Sequence, residues 1–212
     1  MDRNLLVFLL TTALAADPPA GWVVLTDAVP NLAADVRYAG VDNFTGAQLP
    51  GYCPPGTLWL LDGAATALAN VQADLATQGR GLLVYDAYRP VRGTEAMVDW
   101  AKRTEQVHLL DDGYIARRSN HNRGATVDLT VIDLKTGEPL DMGTPFDTFS
   151  DKSHTLNAEG LALENRLMLR AAMSKHGFDN YSKEWWHFTW KPAGDQLPYI
   201  DKPYCEAENH AE

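Results

Sequence analysis

The sequence has little positive charge. Its 212 residues include 18 lysines and arginines against 28 aspartates and glutamates, so the formal net charge is −10. An acidic surface repels both phosphate backbones and anionic lipid headgroups. We therefore expect neither nucleic acid nor an anionic membrane as a partner.

The sequence also lacks internal repeats, low-complexity tracts and linker-like stretches. Hydrophobic residues make up 45% of the chain, which is enough for one ordinary core at this length. We therefore expect a single globular domain over residues 16–212, preceded by a short targeting segment.

No hydrophobic run is long enough for a permanent membrane span. Residues 5–14 form a short apolar run after Arg3, and Ala13-Leu14-Ala15 has the small-residue pattern of a cleavage site. The alternative is a buried N-terminal strand or helix, but Pro18-Pro19 would stop a continuing helix. We predict a signal peptide at residues 1–15 and an exported protein, periplasmic or secreted. No cysteine lies near the cleavage point, so we expect no lipid anchor and no stable membrane association after cleavage.

Cysteine is scarce, with only Cys53 and Cys205 in the chain. Two cysteines in an exported protein are expected to form a disulfide, which here would tie the C-terminal tail to the N-terminal third. The alternative is two unrelated thiols that never meet.

The hydrophobic pattern predicts helices and strands in irregular alternation. Strands are predicted at residues 23–25, 36–38, 81–85, 126–132 and from about Trp186, and helices at 58–77, at 91–103 and around an apolar stripe of Leu163, Leu167, Met168, Ala171 and Ala172. In the strand 126–132, Thr126, Asp128 and Thr130 share one face, and Val127, Leu129 and Val131 share the other. This pattern predicts an α+β domain with a mostly antiparallel central sheet flanked by helices.

Two separate polar segments contain the side chains of a hydrolytic metal site. Residues 119–128 provide His121 and Asp128, and Glu184-Trp185-Trp186-His187 provides a second histidine and a further carboxylate. Two imidazoles and one carboxylate can hold Zn²⁺ with one position left open for water, and a spare glutamate can accept the proton of that water. We therefore predict one zinc ion per chain, bound by His121, Asp128 and His187, with Glu184 as general base.

Each of these residues also has a plainer interpretation. His121 alone could be a surface loop histidine, and the Trp-rich segment could be a core strand with incidental polar neighbours. Asp128 is harder to explain in that way, because a carboxylate between Val127 and Leu129 needs a partner if it is buried. On a regular strand Glu184 and His187 would face opposite ways, so we place Glu184 in the loop before the strand.

Arg89 lies between the predicted strand 81–85 and Pro90, which can begin the next helix. An arginine beside a metal ion can stabilise the negative charge that develops on a carbonyl oxygen. The alternative is a surface salt bridge. We predict a catalytic role for Arg89 as an oxyanion stabiliser.

The pattern H-x6-D followed by E-x2-H resembles the D-alanyl-D-alanine dipeptidase branch of the zinc D,D-peptidases. Other segments resemble the same family in the same order, namely Tyr38-Ala39, Asn43-Phe44-Thr45-Gly46, Tyr88-Arg89-Pro90, residues 142–147, Asp151-Lys152-Ser153-His154, Asn165-Arg166 and Gly177-Phe178. The resemblance covers residues 38–188 and implies the zinc D,D-peptidase architecture, which is Hedgehog/DD-peptidase-like.

The resemblance also implies a substrate and further site residues. It implies hydrolysis of a small D,D-dipeptide, D-Ala-D-Ala, in cell-wall peptide turnover or glycopeptide resistance, and a transition-state role for Arg89. It places Ser119 and Asp147 near the amino end of the substrate, and His154 as a structural residue near the site. We expect His108, His176 and His210 to face solvent.

Two other functions remain open from the sequence. The same zinc site could belong to a D,D-carboxypeptidase or to a peptidoglycan endopeptidase that acts on longer peptides. A non-catalytic zinc-binding module is a third possibility, but holding zinc requires neither Glu184 nor Arg89.

Overall fold

The structure is a computed structural model that describes residues 15–194 and 196–205. Of the predicted signal peptide, only Ala15 belongs to this part of the chain; the rest lies outside the described residues. None of the helices in the described ranges has the length and apolar character needed to cross a bilayer.

The described residues form seven strands and five α-helices. The strands are β1 (Trp22–Val24), β2 (Ala33–Ala34), β3 (Trp59–Leu61), β4 (Arg80–Asp86), β5 (Thr126–Asp133), β6 (Phe178–Asn180) and β7 (His187–Trp190). The helices are α1 (Leu25–Ala28), α2 (Asp62–Ala76), α3 (Val91–Arg103), α4 (His108–Asp111) and α5 (Gly160–Lys175).

The central sheet has five strands in the order β2-β4-β5-β7-β6. Only the short β2–β4 pair is parallel, and the other three pairs are antiparallel. A separate antiparallel pair joins β1 and β3. The predicted α+β class and the mostly antiparallel sheet are therefore confirmed.

The core lies between one face of the central sheet and the helices α2 and α5. Val127, Leu129 and Val131 of β5 are buried in the same cluster as the apolar side chains of α2 and α5. Alternation along β5 leaves Thr126, Asp128 and Thr130 on the opposite face, as the sequence predicts. This opposite face of the sheet carries the candidate site.

A bulge in β4 changes which of its side chains reach the site face. Val84 pairs with Leu129, but Asp86 pairs with Asp128, so the register shifts around Tyr85. A bulge inserts one extra residue into a strand and re-aims the residues that follow it. Without the bulge Asp86 would share the core face with Val84; with it, Asp86 lies beside Asp128.

Two predicted element boundaries are wrong. Residues 36–38 are not a strand; Arg37–Ala39 is a turn of 3-10 helix, which the Asn43 side chain stabilises by donating to the carbonyls of Arg37 and Gly40. The predicted helix 58–77 begins only at Asp62, because the apolar residues before it form β3 and pair with β1.

The predicted apolar stripe of α5 is confirmed only in part, because Met168 and Ala172 pack against the core but Leu167 and Ala171 are exposed. Leu167 is 41% exposed, whereas Ala162, Leu169 and Met173 are buried. The helix is rotated because Arg166 is buried as well, and its guanidinium donates to three backbone carbonyls, those of Met142, Lys152 and His154. An arginine whose three nitrogens each donate to a carbonyl can therefore lie on a buried face that hydrophobic periodicity alone would assign to solvent.

The predictions for the two cysteines and for the histidines outside the metal site have different outcomes. Cys53 and Cys205 form the predicted disulfide across a sequence separation of 152 residues. His108 is exposed, but His176 is half-buried and bonds Asp74 at 2.7 Å, so its predicted solvent-facing position is wrong. His210 lies outside the described residues.

Candidate metal centre and active site

Asp128 and His187 are directly opposed on neighbouring strands. They are register partners in the β5–β7 pair, so both side chains lie on the same face of the sheet. His187 Nδ1 lies 3.0 Å from Asp128 Oδ1. Strand pairing thus assembles two of the three predicted metal ligands.

A tight turn before β5 brings His121 to the same point. The turn, Asn120–Arg123, begins with a capping box in which the Ser119 hydroxyl accepts from the His121 amide and the Asn122 side chain accepts from the Ser119 amide. Gly124 ends the turn in the left-handed conformation, with φ 67°. His121 Nε2 then lies 3.3 Å from Asp128 Oδ2 and 3.4 Å from His187 Nδ1.

The three side chains fit a divalent metal ion. Their ligand atoms all lie within 4.8 Å of one another. His121 Nδ1 bonds the Ala87 carbonyl at 2.6 Å, so Nδ1 carries the proton and Nε2 is left as a lone-pair donor. Asp128 Oδ1 is buried and accepts no well-aligned hydrogen bond among the described residues, although His187 Nδ1 lies 3.0 Å away. Two ligand atoms that both face one cation have this arrangement.

The charge states also suit metal ligation. Burial raises the pKa of Asp128, but the two histidines outweigh that effect and hold its pKa well below the usual value. Burial lowers the pKa of His187. A charged carboxylate beside a neutral imidazole is the form in which both residues bind a metal.

Glu184 lies in the loop between β6 and β7, as predicted. Its amide donates to the Tyr181 carbonyl and its carbonyl accepts from the His187 amide, so the chain turns immediately before β7. Its Oε2 lies 3.5 Å from His187 Nδ1, and the residue is only 7% exposed. Burial, and then the charges of Asp128 and Asp147, raise the pKa of Glu184 well above its usual value. A carboxylate with a raised pKa beside a metal centre is suited to accept and release a proton.

Arg89 is buried beside the same centre and is not a surface salt bridge. It is 8% exposed, and its Nε and Nη2 donate to Asp86 Oδ2 at 3.0 and 2.8 Å. Nη2 also lies 3.7 Å from Asp128 Oδ2. Burial alone would lower the pKa of Arg89, but Asp86 outweighs it and the pKa lies well above its usual value. The guanidinium is therefore a fixed positive charge within reach of the metal ligands.

Asp147 provides a second carboxylate with an unusual environment. Its backbone φ is 58°, a conformation that costs a non-glycine residue energy and that often marks a functional position. Its Oδ2 accepts from the Tyr38 hydroxyl at 2.9 Å. Burial, followed by the negative charge of Asp128, raises the pKa of Asp147 to about 8.

All seven side chains predicted as ligands, catalytic or substrate-binding residues line one cavity of about 300 Å³, together with Tyr38 and other aromatic residues. Ser119 is among them, although its hydroxyl also caps the His121 turn. His154 bonds the hydroxyl of Tyr114, a cavity residue, at 3.0 Å and is not a ligand. The roles of the seven residues stay predictions, but the structure brings all of them together.

Sequence reasoning missed two residues of the site. Asp86 holds the Arg89 guanidinium, and Tyr38 donates to Asp147. A carboxylate at the end of a predicted central strand, next to Tyr-Arg-Pro, was a signal for Asp86. For the Tyr38–Asp147 hydrogen bond the sequence has no signal, because it joins residues 109 positions apart.

Comparisons with known proteins identify the family of the chain. A family model described as D-ala-D-ala dipeptidase matches residues 19–209. The chain is similar to the D-alanyl-D-alanine dipeptidase of Enterococcus faecium, with 34% identity over 86% of this chain and 98% of that protein. It is also similar to the enzymes of the same name from Streptomyces coelicolor (36% identity, 80% and 91% covered) and Escherichia coli (38% identity, 83% and 88% covered).

The family model matches most of the chain, and these relatives are aligned over most of their own length. The resemblance that the motifs suggest is therefore confirmed. The chain belongs to the D-ala-D-ala dipeptidase family of metallopeptidases.

Proposed function

We propose that this protein is a zinc-dependent dipeptidase that hydrolyses D-Ala-D-Ala to two D-alanine molecules. One observation carries the proposal: a three-ligand metal centre, a buried glutamate, a buried arginine and a further aspartate converge on a single small cavity. The names of the relatives support the choice of substrate.

His121, Asp128 and His187 would hold the metal. Two imidazoles and one carboxylate favour zinc over magnesium or calcium, which prefer oxygen ligands alone. When bound in such a site, zinc polarises the peptide carbonyl and lowers the pKa of a water molecule.

Glu184 and Arg89 supply the groups that the metal cannot. The Glu184 carboxylate takes the proton from the attacking water and passes it to the nitrogen of the leaving D-alanine. The Arg89 guanidinium donates to the carbonyl oxygen as negative charge develops there. Asp86 keeps the guanidinium in place but accepts hydrogen bonds only from Nε and Nη2. It therefore does not use all of the N–H donors of the guanidinium.

Asp147 explains how a dipeptide would be distinguished from a longer peptide. A dipeptide carries a free ammonium group close to its scissile bond, and a buried ammonium needs an anionic partner. Asp147 becomes such a partner when the ammonium enters, because the positive charge favours the carboxylate over the protonated form that burial alone favours. The Ser119 hydroxyl adds a second acceptor at the cavity wall. An acylated or longer peptide has no ammonium at this position.

The test is a comparison of three substrates with the metal-loaded protein. We expect rapid hydrolysis of D-Ala-D-Ala, little hydrolysis of N-acetyl-D-Ala-D-Ala or of a muropeptide, and loss of activity with a chelator. Equal cleavage of the acetylated dipeptide would instead assign the site to a D,D-carboxypeptidase. A metal-loaded protein that cleaves no peptide would indicate a non-catalytic zinc-binding module.

The proposal includes export. A leader pattern at residues 1–15 and a disulfide between Cys53 and Cys205 both support a periplasmic or secreted protein that acts on cell-wall peptides. N-terminal sequencing of the protein from the extracytoplasmic fraction should begin at Ala16. Full-length protein confined to the cytoplasm would contradict this part of the proposal.

A further inference from the structure

The C-terminal tail packs directly behind the site. The Ile200 amide donates to the Asn122 carbonyl, and the Ile200 carbonyl accepts from the Val91 amide. Asn122 in turn donates to the Arg89 carbonyl at 2.7 Å. The tail therefore contacts both the turn that carries His121 and the segment that carries Arg89.

The disulfide joins two cysteines that each follow a buried tyrosine. Tyr52 precedes Cys53, and Tyr204 precedes Cys205. The two tyrosine rings lie 5.4 Å apart, and the residues are 3% and 2% exposed. The disulfide thus joins two segments 152 residues apart, each of which contributes one buried tyrosine.

Both tyrosine hydroxyls donate hydrogen bonds to the residues that precede Arg89 in the chain. The Tyr52 hydroxyl donates to Asp86 Oδ1 at 2.6 Å, while Asp86 Oδ2 accepts from the Arg89 guanidinium. The Tyr204 hydroxyl donates to the Tyr88 carbonyl at 2.6 Å, and this carbonyl belongs to the peptide bond that leads into Arg89. Tyr52 therefore fixes the Asp86 carboxylate that orients the Arg89 guanidinium. Tyr204 fixes the backbone carbonyl immediately before Arg89.

We propose that Tyr52 and Tyr204, held together by the Cys53–Cys205 disulfide, are positioning residues for the Arg89 guanidinium. The proposal rests on the proposed function, because it acts on the reaction through Arg89. A chain end frays unless it is tied down, and the disulfide ties the tail at the residue after Tyr204. Loss of either hydroxyl or of the disulfide should therefore lower kcat, with the metal ligands and KM little changed.

The experiment uses the metal-loaded protein and single hydroxyl deletions. Tyr52→Phe and Tyr204→Phe keep the rings and the disulfide, and each should lower kcat by about tenfold, equivalent to about 1.4 kcal/mol. Tyr85→Phe is the matched control, since its ring lies on β4 but its hydroxyl makes no hydrogen bond within the described residues. The control should keep wild-type kcat, and the metal content of all three variants should equal that of the wild type.

A double-mutant cycle separates positioning from general stabilisation. In an Arg89→Ala background, Tyr52→Phe, Tyr204→Phe and the paired Cys53→Ser/Cys205→Ser change should each lower kcat by less than about twofold, because the group they position is gone. The same fold-loss with and without Arg89 would overturn the proposal. Full activity of both tyrosine variants in the wild-type background would overturn it as well.

A second measurement needs no substrate. The Nε–H proton of Arg89, assigned in ¹⁵N spectra by its absence from Arg89→Lys, should exchange with water slowly because it is bonded to Asp86. We expect faster exchange in the tyrosine variants and in the cysteine double variant. Unchanged exchange in all of these variants would refute the positioning role, whatever the activity of the wild type. A wild type that is inactive on D-Ala-D-Ala would instead refute the proposed function.

Discussion

Gly124 occupies the most restricted glycine position near the site, and Gly124→Ala should be strongly destabilising. A Cβ at this position would lie 2.2 Å from Cη2 and 2.3 Å from Cζ3 of Trp22, and φ is +67°. The left-handed backbone costs an alanine roughly 1–2 kcal/mol. Overpacking against the half-buried Trp22 ring should cost a further 1–3 kcal/mol, roughly the range known for overpacked cores. We therefore expect a loss of about 2–5 kcal/mol in the free energy of unfolding.

Gly137→Ala is the matched control, because Gly137 lies in the turn at the other end of β5. Its φ is +77°, but a Cβ there would have no atom within 4 Å. This variant should lose only the backbone cost of roughly 1–2 kcal/mol. The difference between the two variants measures the contact with Trp22.

Urea denaturation of the metal-free proteins gives both values, provided that the slope with denaturant stays unchanged. In a Trp22→Ala background the two glycine substitutions should cost the same amount, because the ring is absent. Equal losses from the two substitutions in the wild-type background would refute the reasoning. Gly124 ends the turn that carries His121, so the clash should also push on this turn, and Gly124→Ala should bind metal more weakly than Gly137→Ala.

Three further predictions test the site. His121→Ala should abolish both zinc binding and hydrolysis of D-Ala-D-Ala, and a metal-free preparation as active as the loaded one would contradict the metal centre. Glu184→Gln should keep the zinc, measured by atomic absorption, while kcat falls by about 10²–10⁴-fold, the usual value of acid–base catalysis; near-wild-type turnover would remove Glu184 from the reaction. Asp147 has its pKa raised from 3.8 to about 8, so the folded metal-free protein binds the proton more tightly than the unfolded chain does, and its stability should fall as pH rises between these values. Asp147→Asn should flatten that fall, as urea midpoints at pH 5 and pH 8 would show, and an unchanged pH dependence would indicate an ordinary carboxylate.

The parts of the site that follow from local patterns are predictable from the sequence. Asp128 faces the site because strand alternation places it opposite Val127 and Leu129. Helix α3 begins after Pro90 and ends at Arg103, as its sequence predicts, because proline fixes its start. Glu184 and His187 come together because a turn, and not a continuous strand, precedes β7.

The remaining features depend on contacts between distant segments. Asp86 reaches the site only through the β4 bulge, which strict alternation cannot indicate. Arg166 is buried because three carbonyls from other segments accept its hydrogen bonds, so hydrophobic periodicity misplaces the face of α5. His176 is half-buried because Asp74 of α2 lies opposite it, and nothing near His176 in the sequence indicates that partner.

The opposed position of Asp128 and His187 has a consequence for how the chain folds. The side chains of a strand alternate, so a slip of one residue between β5 and β7 would turn His187 to the other face of the sheet. A cation that requires both side chains would bind only the correctly paired strands and would lower the population of slipped pairings by mass action. Zinc present during refolding should therefore raise the yield of native protein. The metal would select the correct register of β5 and β7 before it takes part in hydrolysis.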